Sequence, residues 1–461
     1  MKRRELTIAV LLLLTSVLSS IGQDTAVNGV DEFITAEMQK QKIPGVSLAV
    51  VKDGKPLIAK GYGFANLEHA VPVKPETVFQ SGSVGKQFTA TAVMMLVEEG
   101  KINLDEKIGK YLGEVPEAWS NITVRHLLSH TSGMTDYPRD FDFRRDYTED
   151  EILKRAKEIP VAFRPGEKWQ YSNLGYVTLG IMISKVTGKF YGEFLAERIF
   201  KPLGMTTARV INEADIIPNR AAGYRLAQGQ LKNQEWVSPT INTTADGSLY
   251  LTLLDMIKWD EALSTGKLLK KAGFDEMWMP VKLTNGRSHP YGFGWAVRSV
   301  NDIRVIEHGG AWQGFKAHIA RYPERNLSVI VFANLAQANQ AKIANGVAAI
   351  MDPELKPKPL PDPDPAFTLK AKELLQSVIE GKADMTRFTP QAQAAITSQH
   401  DRLAEFIKSM GAMQSFTLME KQEDTAGTRY RYQVEYSGMN VFLVMLVNKE
   451  GKISGFALQP E

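Results

Sequence analysis

The sequence predicts an α+β architecture, and three observations lead there. β-rich runs stand at both ends of a long segment, at residues 46–66 and 315–335. Residues 101–290 between them read mostly as helices and loops. This order describes one sheet assembled from both ends, with an inserted helical region beside it. Past a stretch with six prolines at 352–365, helical patterns and then further strand-like runs begin, as in a second, smaller α+β domain.

The chain opens MKRRELTIAVLLLLTSVLSSIGQD. Lys2, Arg3 and Arg4 lead into an apolar run ending near Leu18, and Ser20 and Gly22 precede Gln23 in the pattern of a secretory cleavage site. The run is shorter than the roughly 20 residues that a bilayer span needs. Residues 1–22 are therefore expected to be a signal peptide, and the mature protein to be periplasmic or secreted, with no stable membrane span. None of the 461 residues is cysteine, so disulfides and thiolate chemistry are excluded and stability has to come from the core. A net charge of +3 without a Lys/Arg cluster gives no basis for nucleic-acid binding. Seven histidines without HExxH or close pairing give none for a zinc site, and no cofactor is called for.

In chain order, VSLAVVKDGKPLIAKGYGFAN (46–66) is a hairpin signal, because Asp53-Gly54 accepts the positive φ of a tight turn. From Ser83 the pattern turns helical: Val84, Phe88, Ala92, Met95 and Leu96 recur at three- and four-residue steps, and Gly100 suits the position past a helix end. In FKAHIARYPERNLSVIVFANL (315–335) two strand runs flank a Pro-Glu-Arg-Asn turn. Proline lacks an amide hydrogen and holds φ, so 352–366 reads as a stiff, extended linker between a domain over 23–351 and one over 367–461. Within the tail, helical patterns at Leu369–Ile379 and Leu403–Met410 precede strands at Phe416–Lys421, Arg429–Tyr436, Val441–Val447 and Ile453–Leu458. Helices followed by strands suggest an NTF2-like or cystatin-like domain.

Three short stretches carry candidate chemistry. FQSGSVGKQFTA (79–90) sets Ser83 three residues before Lys86, on one face of a helix, where an amine reaches a hydroxyl. A serine becomes a nucleophile only when a base takes its proton, and a lysine acts as that base only if it is partly neutral. Alone, such a pair is far more often an ordinary turn of a surface helix than a catalyst. WQYSNLGYVTLG (169–180) holds Tyr171 and Asn173 before a long helical pattern: a phenol and an amide for the site, or a core tyrosine and an N-cap. EHGGAWQGF (307–315) places His308, Gly309 and Gly310 before the late strands, where glycines admit a substrate's backbone and the amide of Ala311 is a candidate oxyanion donor. Its plainer reading is a glycine turn after a buried histidine.

In the order SxxK, YxN, HxG the three resemble the penicillin-recognising serine hydrolases, in the branch of class C β-lactamases, D-Ala-D-Ala carboxypeptidases, D-aminopeptidases and related esterases. Further stretches are similar to the same branch, among them LLSHTSGM, FRPGEKWQYSNLGY, LYLTLLDMIKWDEAL and YGFGW. The resemblance covers about residues 28–350 and implies a serine β-lactamase-like fold: an antiparallel sheet flanked by helices, plus an all-helical subdomain. It also implies that Ser83 forms an acyl-enzyme and that Lys86 and Tyr171 share the proton work. Asn173 would hold Lys86 and substrate, and the amides of Ser83 and Ala311 would form the oxyanion hole. The substrate would be a small molecule or short peptide. One departure matters: β-lactamases carry a lysine where this chain has His308. A histidine, mostly neutral at pH 7, attracts a substrate carboxylate less. Esters, D-amino-acid amides or short peptides are the expected substrates, ahead of β-lactams. His130 and Ser132 resemble a loop that walls the cleft, and Trp312 and Phe315 line the acyl pocket or belong to the core.

Overall fold

The structure is a computed structural model describing residues 26–138, 140–423, 427–438 and 440–460. The expected signal peptide, residues 1–22, lies outside them. The chain divides into two compact units, one ending at Lys356 and one beginning at Pro357.

In the first unit, β1 (Gly45–Lys52) and β2 (Lys55–Asn66) form the expected hairpin. Asp53 and Gly54 take φ of 51° and 75°, the positive pair that lets a two-residue turn follow the twist of its strands. β1 is buried from Gly45 through Val51, because apolar clusters cover both faces of the sheet, so its sequence runs apolar rather than alternating. β3 (Val71–Pro72) extends this edge.

The late strands are β4 (Ala296–Val300), β5 (Ile303–Trp312), β6 (Phe315–Tyr322) and β7 (Leu327–Ala333). β7 pairs antiparallel with β1, Val46 opposite Ala333, and closes a seven-stranded sheet in the order β4-β5-β6-β7-β1-β2-β3. The sheet is therefore assembled from both ends of the segment, and it is antiparallel. His308–Ala311, expected ahead of the late strands, lie inside β5, paired with β6. Two successive glycines erase the side-chain period that reveals a strand, and the ladder to β6 supplies the order they lack.

One face of the sheet carries the larger core, built on α1 (Lys86–Glu98), α2 (Asn173–Thr187) and α3 (Leu253–Thr265). α1 is buried from Lys86 through Leu96, and Phe88 packs against Trp259 of α3 at 4.2 Å between ring centroids. The helix starts at Lys86 rather than Ser83, after a 3₁₀ turn over Gly82–Gly85. It ends as expected, with Gly100 just past it at φ 69°. The other face is covered by the helix over residues 26–41 and by α4 (Gln340–Met351). Helices dominate the inserted region, with short ladders such as Tyr224–Ala227 on Gln230–Asn233 at its margins.

The second unit holds α5 (Pro365–Ile379), α6 (Pro390–Ser409) and a four-stranded antiparallel meander: β8 (Met413–Glu423), β9 (Gly427–Tyr436), β10 (Asn440–Asn448) and β11 (Ile453–Pro460). Its helices reach further toward the N-terminus than their apolar patterns. Each begins on a proline, whose missing N–H costs nothing there, and Asp364 and Thr389 cap them. Pro365 thus opens α5 inside the stretch read as linker, and Pro353–Leu355 form a 3₁₀ turn within it. Among the described residues, no helix is long and apolar enough to cross a membrane.

Candidate active site

Ser83 sits in the 3₁₀ turn, where residues three apart lie nearly in line, so Lys86 falls directly beside it. The Nζ of Lys86 is 3.1 Å from Ser83 Oγ. The lysine is fully buried, whereas Ser83 is half-buried and reachable. Burying an amine is costly unless its hydrogens find partners. Lys86 donates to Asn173 Oδ1 at 2.7 Å and to the main-chain carbonyl of Asp246. Both are obligate acceptors, so two of the three Nζ positions must carry hydrogen. The third, a hydrogen or a lone pair, is directed at Ser83.

Asn173 opens α2, and the N-cap Ser172 accepts from the Gly175 amide. Just before them stands Tyr171, with the Lys86 Nζ 4.8 Å from its ring centroid. Its hydroxyl is buried and has no hydrogen-bond partner among the described residues. Behind this ring lies His130, 4.2 Å away between centroids.

Hydrogen-bond logic fixes the protons in the layer behind Tyr171. The Ser172 amide donates to His130 Nδ1, so a neutral His130 carries its proton on Nε2, facing the Tyr291 hydroxyl at 3.2 Å. Tyr291 then donates to His308 Nε2 at 2.9 Å, and His308 Nδ1 donates to the Gly309 carbonyl at 2.6 Å. Burial, aided by the charge of Lys86, pushes His130 well below its ordinary value and His308 down to about 3. The chain is therefore neutral near pH 7.

Glycines bring β5 against the nucleophile. A Cβ on Gly310 would lie 2.0 Å from the Ser81 carbonyl oxygen, and one on Gly82 would lie 2.4 Å from the Ala311 nitrogen. Gly82 also takes a φ of 48°. The room expected for a substrate at Gly310 is filled by the protein's own Ser81, which brings the Ser83 and Ala311 segments together. Gly309 turns its bare side to the opposite face, toward Gln340 and His318.

Residues 30–350 match the Beta-lactamase family. The chain belongs to that family. Its members with this fold are serine hydrolases that include D-aminopeptidase and penicillin-binding-protein-like chains. Penicillin-binding protein 4* of Bacillus subtilis is 30% identical over 314 residues, 64% of this chain and 69% of that protein. A D-aminopeptidase of Gluconobacter oxydans is 29% identical over 324 residues, 68% of this chain and 60% of its own length. Among solved structures, the octameric penicillin-binding protein homologue of Pyrococcus abyssi covers 94% of this chain and 98% of its own, with TM-score 0.65 and 23% identity, a likeness of fold. The D-amino acid amidase of Ochrobactrum anthropi, complexed with L-phenylalanine amide, covers 72% of this chain and 97% of its own, with TM-score 0.61 and 26% identity.

Other candidates of this Beta-lactamase-family chain fall in different places. Phe315 is core, edge-on to Phe79, while Trp312 is half-buried and donates to Asn242. Ser132 caps its own loop by accepting from the Met134 amide. Three contributors escaped the sequence reading: Asp136, which accepts from Asn173; Asp246, which offers its carbonyl to Lys86; and Tyr291. The first two are single aspartates in loops, without a pattern to announce them. Tyr291 stands in YGFGW, which carries the resemblance but gives no sign of that tyrosine's partners.

Proposed function

We propose that the protein is an exported serine hydrolase that works through an acyl-enzyme on Ser83 and cleaves an ester, an amide or a D-amino-acid peptide bond. The observation that carries this reading is the Lys86 amine, held by two acceptors with its third position toward Ser83 Oγ and with the Tyr171 ring 4.8 Å away, a tyrosine whose hydroxyl has no partner among the described residues. In its neutral form Lys86 keeps both N–H bonds and turns its lone pair to the Ser83 hydroxyl, taking the proton as Oγ attacks the substrate carbonyl. The amides of Ser83 and Ala311 receive the developing oxyanion, each donor worth about 3 kcal/mol. Tyr171 delivers a proton to the leaving group, and water activated by the same pair releases the acyl group.

Substrate choice follows from charge. His308, neutral and bonded at both ring nitrogens, offers no positive charge to a carboxylate. A β-lactam or a peptide C-terminus is then poorly held, while an ester or D-amino-acid amide needs no such anchor. The names of two similar proteins, a D-aminopeptidase and a D-amino acid amidase, support this preference. Export rests on the basic-then-apolar start of the chain.

A fluorophosphonate probe tests the nucleophile: wild type should label and Ser83→Ala should not. Absence of label on both would mean a non-catalytic, penicillin-binding-like sensor. A hydrolysis panel of nitrophenyl esters, D-amino-acid amides, D-Ala-D-Ala peptides and cephalosporins tests the substrate class. Efficient cephalosporin turnover at neutral pH would reverse the preference.

A further inference from the structure

Asn173 carries an amide that serves Lys86 in only one of its two orientations. With Oδ1 toward the lysine it accepts; turned over, it would present N–H to a donor and strip Lys86 of one of its two fixed acceptors. The partner on the far side decides between them. Asn173 Nδ2 donates to Asp136 Oδ2 at 2.8 Å, and Asp136 Oδ1 accepts from the Tyr137 amide at 3.1 Å. Both oxygens of Asp136 thus face N–H donors, the fixed main chain of Tyr137 and the Asn173 amide in this orientation. An ionised carboxylate meets that demand, whereas an asparagine would set its own NH₂ against one of them.

We propose that Asp136 is a positioning residue for the acyl transfer. By locking the Asn173 amide with its oxygen toward Lys86, it keeps the third Nζ position aimed at Ser83. This role rests on the proposed acyl-enzyme reading. Asp136 is half-buried, and burial raises its carboxyl pKa. The hydrogen bonds from Asn173 and Tyr137 pull it down, the charge of Asp246 raises it, and that of Lys86 lowers it. The titratable groups about it are therefore Asp246, Lys86 and the buried phenol of Tyr137. Burial penalises the ionised form in the fold but not in the unfolded chain. The carboxylate is accordingly kept at some expense to stability, as happens where a group serves function.

The experiment is a double-mutant cycle on the full chain. Fluorophosphonate labelling rates, and kcat and KM on a nitrophenyl ester, are followed across pH for wild type, Asp136→Asn, Asp136→Glu, Asn173→Ala and the Asp136→Asn/Asn173→Ala double variant. Asp136→Asn should lower kcat and the labelling rate about 100-fold, the scale of a misplaced catalytic group, with KM little changed and Tm not lowered. Asp136→Glu, which keeps a carboxylate, should recover part of the loss. In the Asn173→Ala background the same change should have no further effect. Wild-type kinetics in Asp136→Asn, or losses that simply add in the double variant, would overturn the role while leaving the acyl-enzyme reading intact. Absence of label on the wild type would overturn both.

Discussion

The two units of this chain bury different things. The second unit packs Leu374, Leu375, Tyr432, Val434, Val441 and Leu443 between two helices and a meander. Among the described residues, its buried side chains are apolar or tyrosine. The first unit buries Lys86, Asp260, Arg321, Glu307 and three histidine-layer groups in addition to its larger apolar core. A fold gains nothing by hiding an amine unless it is used, since the amine loses hydration that only good partners repay. The contrast separates a scaffold that closes on itself from one that also holds charged and polar groups in its interior.

The sharpest way to break this contrast is at the nucleophile. Ser83→Ala should reduce hydrolysis by at least about 1,000-fold while Tm stays within a few degrees, measured by ester turnover and calorimetry. Next in size is the buried ion pair. Arg321 Nε lies 2.7 Å from Asp260 Oδ1, which also accepts from Ser328, so Asp260→Ala leaves a buried guanidinium unpaired. Denaturant unfolding should show a loss of about 3–5 kcal/mol. Any polar-to-apolar exchange in the second unit should cost far less.

Glycines sharpen the comparison at a smaller scale. Gly310→Ala forces a Cβ into the Ser81 carbonyl and should cost about 1–3 kcal/mol together with most of the activity. Gly451→Ala meets open space at a φ of 77° and should cost about 1 kcal/mol with no effect on turnover. Acid should also act on the first unit. His308 has its folded pKa at about 3, below its unfolded value near 6.5, so the unfolded chain binds the extra proton. Stability present above pH 6.5 is therefore lost as pH falls toward 3, at about 1.4 kcal/mol per pH unit from this one group. His308→Asn should flatten that slope in a pH series of unfolding curves. Smallest of all, truncation just before Pro359 should leave kcat/KM unchanged, whereas a large loss would give the second unit a part in the chemistry.

Local rules reached some of this architecture and stopped short of the rest. Asp53-Gly54 announced the first hairpin because a turn needs positive φ and few residues supply it. The four strands of the tail were legible within a few residues, since one face of each is apolar and the alternation survives. Asn301-Asp302, both at positive φ between β4 and β5, turn the chain with the same device but without a glycine, and passed unnoticed. The strand holding His308–Ala311 was hidden because its glycines carry no side chains to show a period. α6 was half missed, since residues 390–402 present few apolar positions.

By itself the sequence determined the order of elements, the absence of cysteine chemistry and the candidate pair Ser83 and Lys86, because these depend on neighbours a few residues apart. Tertiary structure alone decided that Lys86 meets Asn173 and the carbonyl of Asp246, partners 87 and 160 positions along the chain. It also decided that His308 is neutral and that Asp136 stands behind Asn173. A proton's position depends on burial and on every acceptor within about 3 Å. Those distances come into being only when remote segments pack.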